Sequence, residues 1–181
     1  MKSKQIKVMA VTAILMAFNI VLSSFGVPVP GGHMYLNDVI ICTAAILWQG
    51  RRGVGTILLN PFGAFMVGGV GAFIGDLLFY PTPMFVSLVT HGLQAVVISL
   101  ATRRLGKDRP SGSAIGVTIG AVIMVVGYSL GRAFIYSTPE YALLKLPFQI
   151  AQAVVGAVVG WLLCWKCKIA ELYEKRFGIM S

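Results

Sequence analysis

Polar side chains recur at helical spacing within two long apolar segments near the C-terminal end of the chain. Tyr128, Arg132 and Tyr136 stand four residues apart, so an α-helix would place them on one face. A second stripe at similar spacing consists of Lys145, Gln149 and Gln152. Aromatic rings, amides and cations on facing helices are typical of a site that stacks on a small polar molecule and forms hydrogen bonds with it.

Further polar residues fall near the same ends of the other apolar segments. Polar groups inside a bilayer are costly, so a concentration of them at one depth indicates a functional site. The sequence therefore predicts a substrate-binding set made of His33, Asn37, Asp76, Tyr80, His91, Gln94, Tyr128, Arg132, Tyr136 and Gln149.

Structural roles for several of these residues stay open at this stage. Asp76 could form a salt bridge with Arg132 that holds the helices together, and His91 could be a neutral core histidine bonded to a neighbouring helix. The tyrosines could be packing or interfacial aromatics. Glu140 and Lys145 could lie in solvated loops, as could Asp38.

The sequence gives no indication of catalysis. It has no Walker A motif and no obvious pairing of a nucleophile with a base. Cys164 and Cys167 form a C-x-x-C pair, but no second ligand pair accompanies them, so we expect free thiols and no metal. We predict a protein that is not an enzyme and needs no cofactor.

The composition indicates which kind of element must position these residues. Of the 181 residues, 57% are hydrophobic and 12% are charged, and the mean hydropathy is +0.83. A soluble domain has about 25% charged residues, so the composition predicts an integral membrane protein in contact with the lipid bilayer. The net charge of +9 then reflects membrane topology, and we expect no nucleic-acid partner.

Six apolar segments are candidates for membrane spans, so the predicted fold is an all-α, six-transmembrane-helix bundle in a single domain, residues 1–181. A Gly/Pro-rich break, Gly26 to Gly32, follows the first segment, which we interpret as a retained helix and not a signal peptide. Between Trp48 and Pro61 two interpretations are open: a longer cytoplasmic loop, or an inward extension of the third helix by Val54 to Leu59. The segments are Ile6 to Phe25, Tyr35 to Trp48, Phe62 to Tyr80, Met84 to Leu100, Ala114 to Tyr136 and Leu143 to Trp165.

The distribution of basic residues gives an orientation. With six spans, 13 of the 15 Lys and Arg residues fall on one side, and only Arg132 and Lys145 fall on the other. The positive-inside rule then predicts that both termini are cytoplasmic. The polar residues gather at the outer ends of the spans, as in a pocket open to the outside. A free-standing small-solute transporter or channel, acting as a homo-oligomer, is the alternative, but it would need polar groups at successive depths.

Several motifs resemble the substrate-binding S components of energy-coupling factor (ECF) vitamin transporters. They are Ala13-Ile-Leu-Met-Ala17 in the first span, Tyr35-Leu-Asn-Asp38, and a Gly-rich third span that ends in Gly75-Asp-Leu-Leu78. The last two are similar to riboflavin-type and hydroxymethylpyrimidine/pyridoxine-type members.

The resemblance implies a mechanism of import. A vitamin or vitamin precursor would bind from outside, under a lid formed by the first outer loop. Ala13 and Ala17 would dock onto a transmembrane T component that two cytoplasmic ATPases drive. A small aromatic heterocycle with hydroxyl groups, such as pyridoxine or hydroxymethylpyrimidine, suits the polar set best. A carboxylate ligand that pairs with Arg132 is the alternative.

Overall fold

The computed structural model describes residues 2–30, 32–47, 59–106 and 110–172, and this part of the chain is almost entirely helical. A π-helical turn, Met66–Val70, joins α3 to α4, and a second one, Arg132–Tyr136, extends α6. A short hairpin follows α1, with strands β1 (Gly26–Val29) and β2 (Gly32–Tyr35). The helices are α1 (Lys2–Ser23), α2 (Asn37–Leu47), α3 (Leu59–Phe65), α4 (Gly71–Phe79), α5 (Met84–Gly106), α6 (Pro110–Gly131) and α7 (Pro139–Trp165).

Within the described residues, four helical segments are long and apolar enough to cross a membrane: Pro61–Phe79, Met84–Leu105, Pro110–Tyr136 and Pro139–Trp165. Two other apolar helices, Met9–Ser23 and Asn37–Leu47, are shorter. The 11 residues of α2 extend for about 16 Å, roughly half of the hydrocarbon thickness. The structure therefore supports a multi-pass helical membrane protein, with four full-length spans where the sequence predicted six.

Several helix boundaries differ from the predicted ones. The predicted fourth span ended at Leu100 and the fifth began at Ala114, but α5 continues to Gly106 and α6 already begins at Pro110. Arginines stabilise the last turn of a helix and proline suits the first turn, which explains both extensions. The uncertain boundary after Trp48 lies outside the described residues up to residue 58.

The Gly/Pro-rich break after α1 contains a short antiparallel hairpin, which the sequence did not predict, within an otherwise helical structure. Its register pairs Gly26 with Tyr35 and Val29 with Gly32. Pro28 is tolerated because a two-stranded sheet consists of edge strands only. Gly32 has a φ of +122°, a conformation that residues with a side chain rarely adopt.

The apolar core surrounds α2. This helix is buried on nearly all sides, and its sequence is therefore apolar almost throughout. Ile41, Ala45 and Ile46 are completely buried. They belong to one cluster with apolar residues of α1, α3, α5, α6 and α7, which include Val11, Ala64, Ala95, Val117 and Ala157.

Glycines and one asparagine set how closely the helices approach. A Cβ on Gly156 would lie 2.4 Å from the Cβ of Asp38, so α7 and α2 are in near-backbone contact there. The π-turn before α4 directs the Gly71 N–H to the carbonyls of Met66 and Gly68. The Nδ2 of Asn19 in α1 donates to the Val67 carbonyl at 2.6 Å, which satisfies a polar group in the core.

Candidate functional site

A cavity of about 280 Å³ lies between the hairpin and the adjoining ends of the helices. This volume lies just below the usual range of about 300–1,000 Å³ for small-molecule sites. Residues from the hairpin, α2, α4, α5, α6, the second π-turn and α7 all contribute to it. The lining consists of Gly32, His33, Tyr35, Asn37, Asp76, Tyr80, Pro83, His91, Met124, Tyr128, Arg132, Tyr136, Tyr141, Lys145, Gln149 and Gln152.

Nine of the ten residues predicted to bind substrate line this one cavity. The exception is Gln94, which lies under the floor and contacts His91 and Asp38. That these ten residues contact a ligand remains a prediction. The nine lining residues are His33, Asn37, Asp76, Tyr80, His91, Tyr128, Arg132, Tyr136 and Gln149.

The floor of the cavity is a buried network around the carboxylate of Asp38. Gln94 donates to Oδ1 at 3.1 Å, and Gln152 donates to Oδ2 at 2.6 Å. The Nδ1 of His91 lies 2.7 Å from Oε1 of Gln94. Because this amide oxygen can only accept, Nδ1 carries a proton, and in the neutral ring Nε2 keeps the lone pair. His91 is thus hydrogen-bonded within its own helix, its Nδ1 lies 3.8 Å from Oδ1 of Asp38 in α2, and its ring is part of the cavity lining.

The wall formed by α4, α5 and α6 carries an acidic group. Ser87 donates a hydrogen bond to Asp76 and also contacts the hydroxyl of Tyr128. The ring of Tyr128 lies 5.1 Å from that of His91. The salt bridge between Asp76 and Arg132, which the sequence left open, is not present among the described residues, since each group has another partner.

The opposite wall carries two cations. Arg132 donates to Oε1 of Gln149 at 2.5 Å, and the Nε2 of Gln149 donates to the Val125 carbonyl at 2.8 Å. Lys145 donates to the His33 carbonyl at 2.6 Å. Lys145 is only 6% exposed, so its placement in a solvated loop is wrong, whereas Glu140 is exposed in the first turn of α7.

The π-turn at the end of α6 orients part of this wall, the side chains of Arg132 and Tyr136, toward the cavity. Over four residues an α-helix drifts by roughly 40° past a full turn, so a long stripe slowly leaves its face. A π-turn advances each residue by a smaller angle, which offsets that drift. Tyr128, Arg132 and Tyr136 consequently all reach the same cavity.

Two polar atoms of the lining are left without partners. Within the described ranges, Oδ1 of Asn37 and the hydroxyl of Tyr136 are buried and have no hydrogen bond. Asn37 is only 4% exposed. Buried polar atoms are normally paired, so these two are available to a ligand.

Several lining residues were absent from the predicted set. Lys145 and Gln152 belong to a stripe that the sequence already displayed. Tyr35 belonged to a motif of the resemblance but was not predicted to bind, because its strand was not recognised. Tyr141 was missed because it lies in the first turn of a helix whose start was placed too late. Burial, and to a lesser extent the carboxylate of Asp76, raises the pKa of Tyr35, so its hydroxyl remains a donor.

The chemistry of this arrangement is recognition. Donors, acceptors and aromatic faces converge on the cavity, while the described residues contain no group of three His, Cys, Asp or Glu side chains that could hold a metal ion. Cys42 and Cys164 are buried free thiols and Cys167 is an exposed one. Ala13 and Ala17 lie in the second half of α1, and both are exposed on its surface.

Comparison with known proteins connects this architecture to a transporter family. An uncharacterised protein from Pyrococcus woesei is 27% identical over 136 residues, which cover 74% of this chain and 82% of the relative. Residues 3–168 match the family model described as the ECF-type riboflavin transporter, S component. The resemblance to S components is thereby confirmed at the level of the family. The chain belongs to the ECF-type riboflavin transporter S-component family, a family of membrane transport proteins and not of enzymes.

Proposed function

We propose that this protein is the high-affinity substrate-binding subunit of an ECF-type importer, and that its substrate is a small vitamin or vitamin precursor held in the hairpin-end cavity. The observation that carries the proposal is the cavity itself, in which buried and partnerless polar atoms of Asn37 and Tyr136 face space for a ligand. Leaving such atoms unpaired is costly, which supports a bound solute as their partner.

The finer features of the proposal concern topology and coupling. All six apolar helical segments belong to the membrane domain, and both termini face the cytoplasm. Ala13 and Ala17 form the contact with a transmembrane T component, and two cytoplasmic ATPases supply the energy. The exposure of both alanines supports a docking role, because small residues allow helices to approach closely in lipid.

The size and lining of the cavity favour a compact aromatic heterocycle. Tyr128 and His91 offer rings for stacking, and Asn37 and Gln149 offer amides. Pyridoxine and hydroxymethylpyrimidine have the expected size and hydroxyl groups, and riboflavin enters the comparison through the family description.

A binding screen tests the proposal. The protein purified in detergent is heated with each of pyridoxine, hydroxymethylpyrimidine and riboflavin, and any ligand that co-purifies is identified by mass spectrometry. A ligand at 100 times its Kd should stabilise the fold by about 2.7 kcal/mol, visible as a higher Tm. If no vitamin binds, and cells import solute through this protein without ATPases, it acts instead as a free-standing transporter.

A further inference from the structure

The wall formed by the second π-turn and α7 holds two buried cations that face neutral partners. Arg132 is 8% exposed and Lys145 is 6% exposed. Their hydrogen-bond acceptors are the amide oxygen of Gln149 and the backbone carbonyl of His33. No carboxylate of the described residues lies within 4.0 Å of either cation.

The two carboxylates near the cavity are occupied elsewhere. Asp38 accepts hydrogen bonds from Gln94 and Gln152 in the floor, and Asp76 accepts one from Ser87 on the opposite wall. A buried cation without a counter-ion is strongly unfavourable. The basic wall of the free protein therefore lacks a negative group in contact with its two cations.

The geometry leaves space, and unused N–H donors on both cations, for a negative group. Lys145 and Gln149 are one helical turn apart on the face of α7 that holds Arg132, so the two cations are neighbours. Lys145 uses one of its three N–H donors on His33, and Arg132 uses one of five on Gln149. Gly32 adds no side chain, and a Cβ there would lie 3.6 Å from the Lys145 Nζ.

We propose that the substrate carries an anionic group, a carboxylate or a phosphate, which lies between Arg132 and Lys145. The aromatic part then points to Tyr128 and His91, and a hydroxyl or N–H donor meets Asp76. This inference rests on the proposed function and specifies its substrate class. Riboflavin, pyridoxine and hydroxymethylpyrimidine lack such a group, so the inference separates acidic derivatives from the parent vitamins.

The test compares matched probes on the purified protein by calorimetry at low salt. Pyridoxine is paired with 4-pyridoxate and with pyridoxine 5′-phosphate, and riboflavin is paired with riboflavin 5′-phosphate. At least one anionic member should bind more tightly than its parent by about tenfold or more. The carboxylate and phosphate members show which anion the site takes.

Variants then locate the preference. In Arg132→Gln combined with Lys145→Met, the affinity ratio between anionic and parent probe should fall to about one. Arg104→Gln combined with Lys166→Met removes the same charge from exposed positions at the other end of the helices, and should keep the ratio. Size-exclusion chromatography shows whether the double variant folds. If it does not, Arg132→Lys serves as a second test, because it preserves the cation and should keep part of the preference for the anionic probe.

Equal binding of parent and anionic probes by the native protein would overturn the anion site and leave the proposed function intact. The anion site would also be overturned if the preference for anionic probes survived in the folded double variant. The same holds if Arg132→Lys left the preference unchanged while the exposed-site control lost it. If none of the probes binds, the proposed function fails together with this inference.

Discussion

At the scale of single residues, the cavity combines polar atoms that are fully paired with others that have no partner. Asp38 in the floor is satisfied by Gln94 and Gln152, so it holds the helices in place. Asn37, its neighbour in sequence, has a buried side-chain oxygen, Oδ1, with no hydrogen-bond partner in the described part of the chain. Adjacent residues thus differ: Asp38 is paired within the architecture, whereas the free oxygen of Asn37 is the one that we propose to meet the ligand.

The hydroxyl of Tyr136 gives a prediction in which stability and binding change in opposite directions. In Tyr136→Phe the free protein loses a buried group that had no hydrogen bond, so its Tm should stay level or rise. Affinity for the substrate should fall by about tenfold, equivalent to about 1.4 kcal/mol. Thermal unfolding and calorimetry in detergent measure the two effects.

Ser129 provides the matched control, because its Oγ is also buried without a partner in the described structure but does not line the cavity. Ser129→Ala should leave affinity unchanged. A lower Tm in Tyr136→Phe without any loss of affinity would mean that the hydroxyl serves the fold and not the ligand.

At the scale of the elements, glycine positions determine which helices meet and how closely. Gly156 and Gly160 bring α7 against α2, where added Cβ atoms would lie 2.4 Å and 2.8 Å from side-chain atoms of Asp38 and Cys42. This contact also positions the floor network, since Gln152 stands one turn before Gly156. The packing of small residues therefore sets the geometry of the polar site.

Gly156→Ala should consequently destabilise the protein by about 1–3 kcal/mol, because the new methyl group has no space against α2. The measurement is the Tm of the detergent-purified protein. Val154→Leu adds a similar volume to a position on α7 that is 51% exposed, and should change the Tm little. An equal loss in both variants would argue against a specific contact at Gly156.

The exposed small residues of α1 predict a separation of binding from transport. Ala13→Leu combined with Ala17→Leu should reduce ATPase-dependent uptake by about tenfold or more, because bulky side chains prevent close helix approach. Affinity of the purified protein should not change, since both residues lie outside the cavity. Radiolabelled uptake in cells measures the first effect and calorimetry the second.

Ala151→Leu, at an exposed alanine on α7, is the control for adding a leucine to the lipid-facing surface. Full uptake by the α1 double variant would contradict docking through this face.

At the scale of the whole molecule, the two ends of the bundle differ in charge and in structure. The cavity and hairpin occupy one end, whereas the exposed cations Lys7, Arg104 and Lys166 belong to the other ends of their helices. The positive-inside rule assigns the basic end to the cytoplasm. The cavity would then face the outside.

Cys167 allows this orientation to be tested, because it is an exposed thiol just beyond α7, at the basic end. A membrane-impermeant maleimide should label it only after cells are permeabilised. Val27→Cys in the exposed hairpin should be labelled in intact cells. Labelling of Cys167 in intact cells, absent in Cys167→Ser, would reverse the assignment.

Much of the helical architecture could be predicted from the sequence because apolar runs and Gly/Pro breaks follow from local chemistry. The hairpin escaped prediction, since its strands have four residues each and depend on pairing with each other. The floor network escaped as well, because Asp38 and Gln152 are 114 residues apart. Tyr128, Arg132 and Tyr136 were predicted as a group because helical spacing is visible in sequence.

The hairpin has a kinetic consequence for the substrate. Two side chains of α7 hold it from the same helix: Lys145 at the carbonyl of His33, and Gln152 at the N–H of Tyr35. Lifting the hairpin breaks both hydrogen bonds at once, and also frees Gln152 from its bridge between the strand and Asp38. If the proposed substrate leaves by way of the hairpin, its dissociation has a barrier that the ligand contacts alone do not set, and its residence time is longer than those contacts would give.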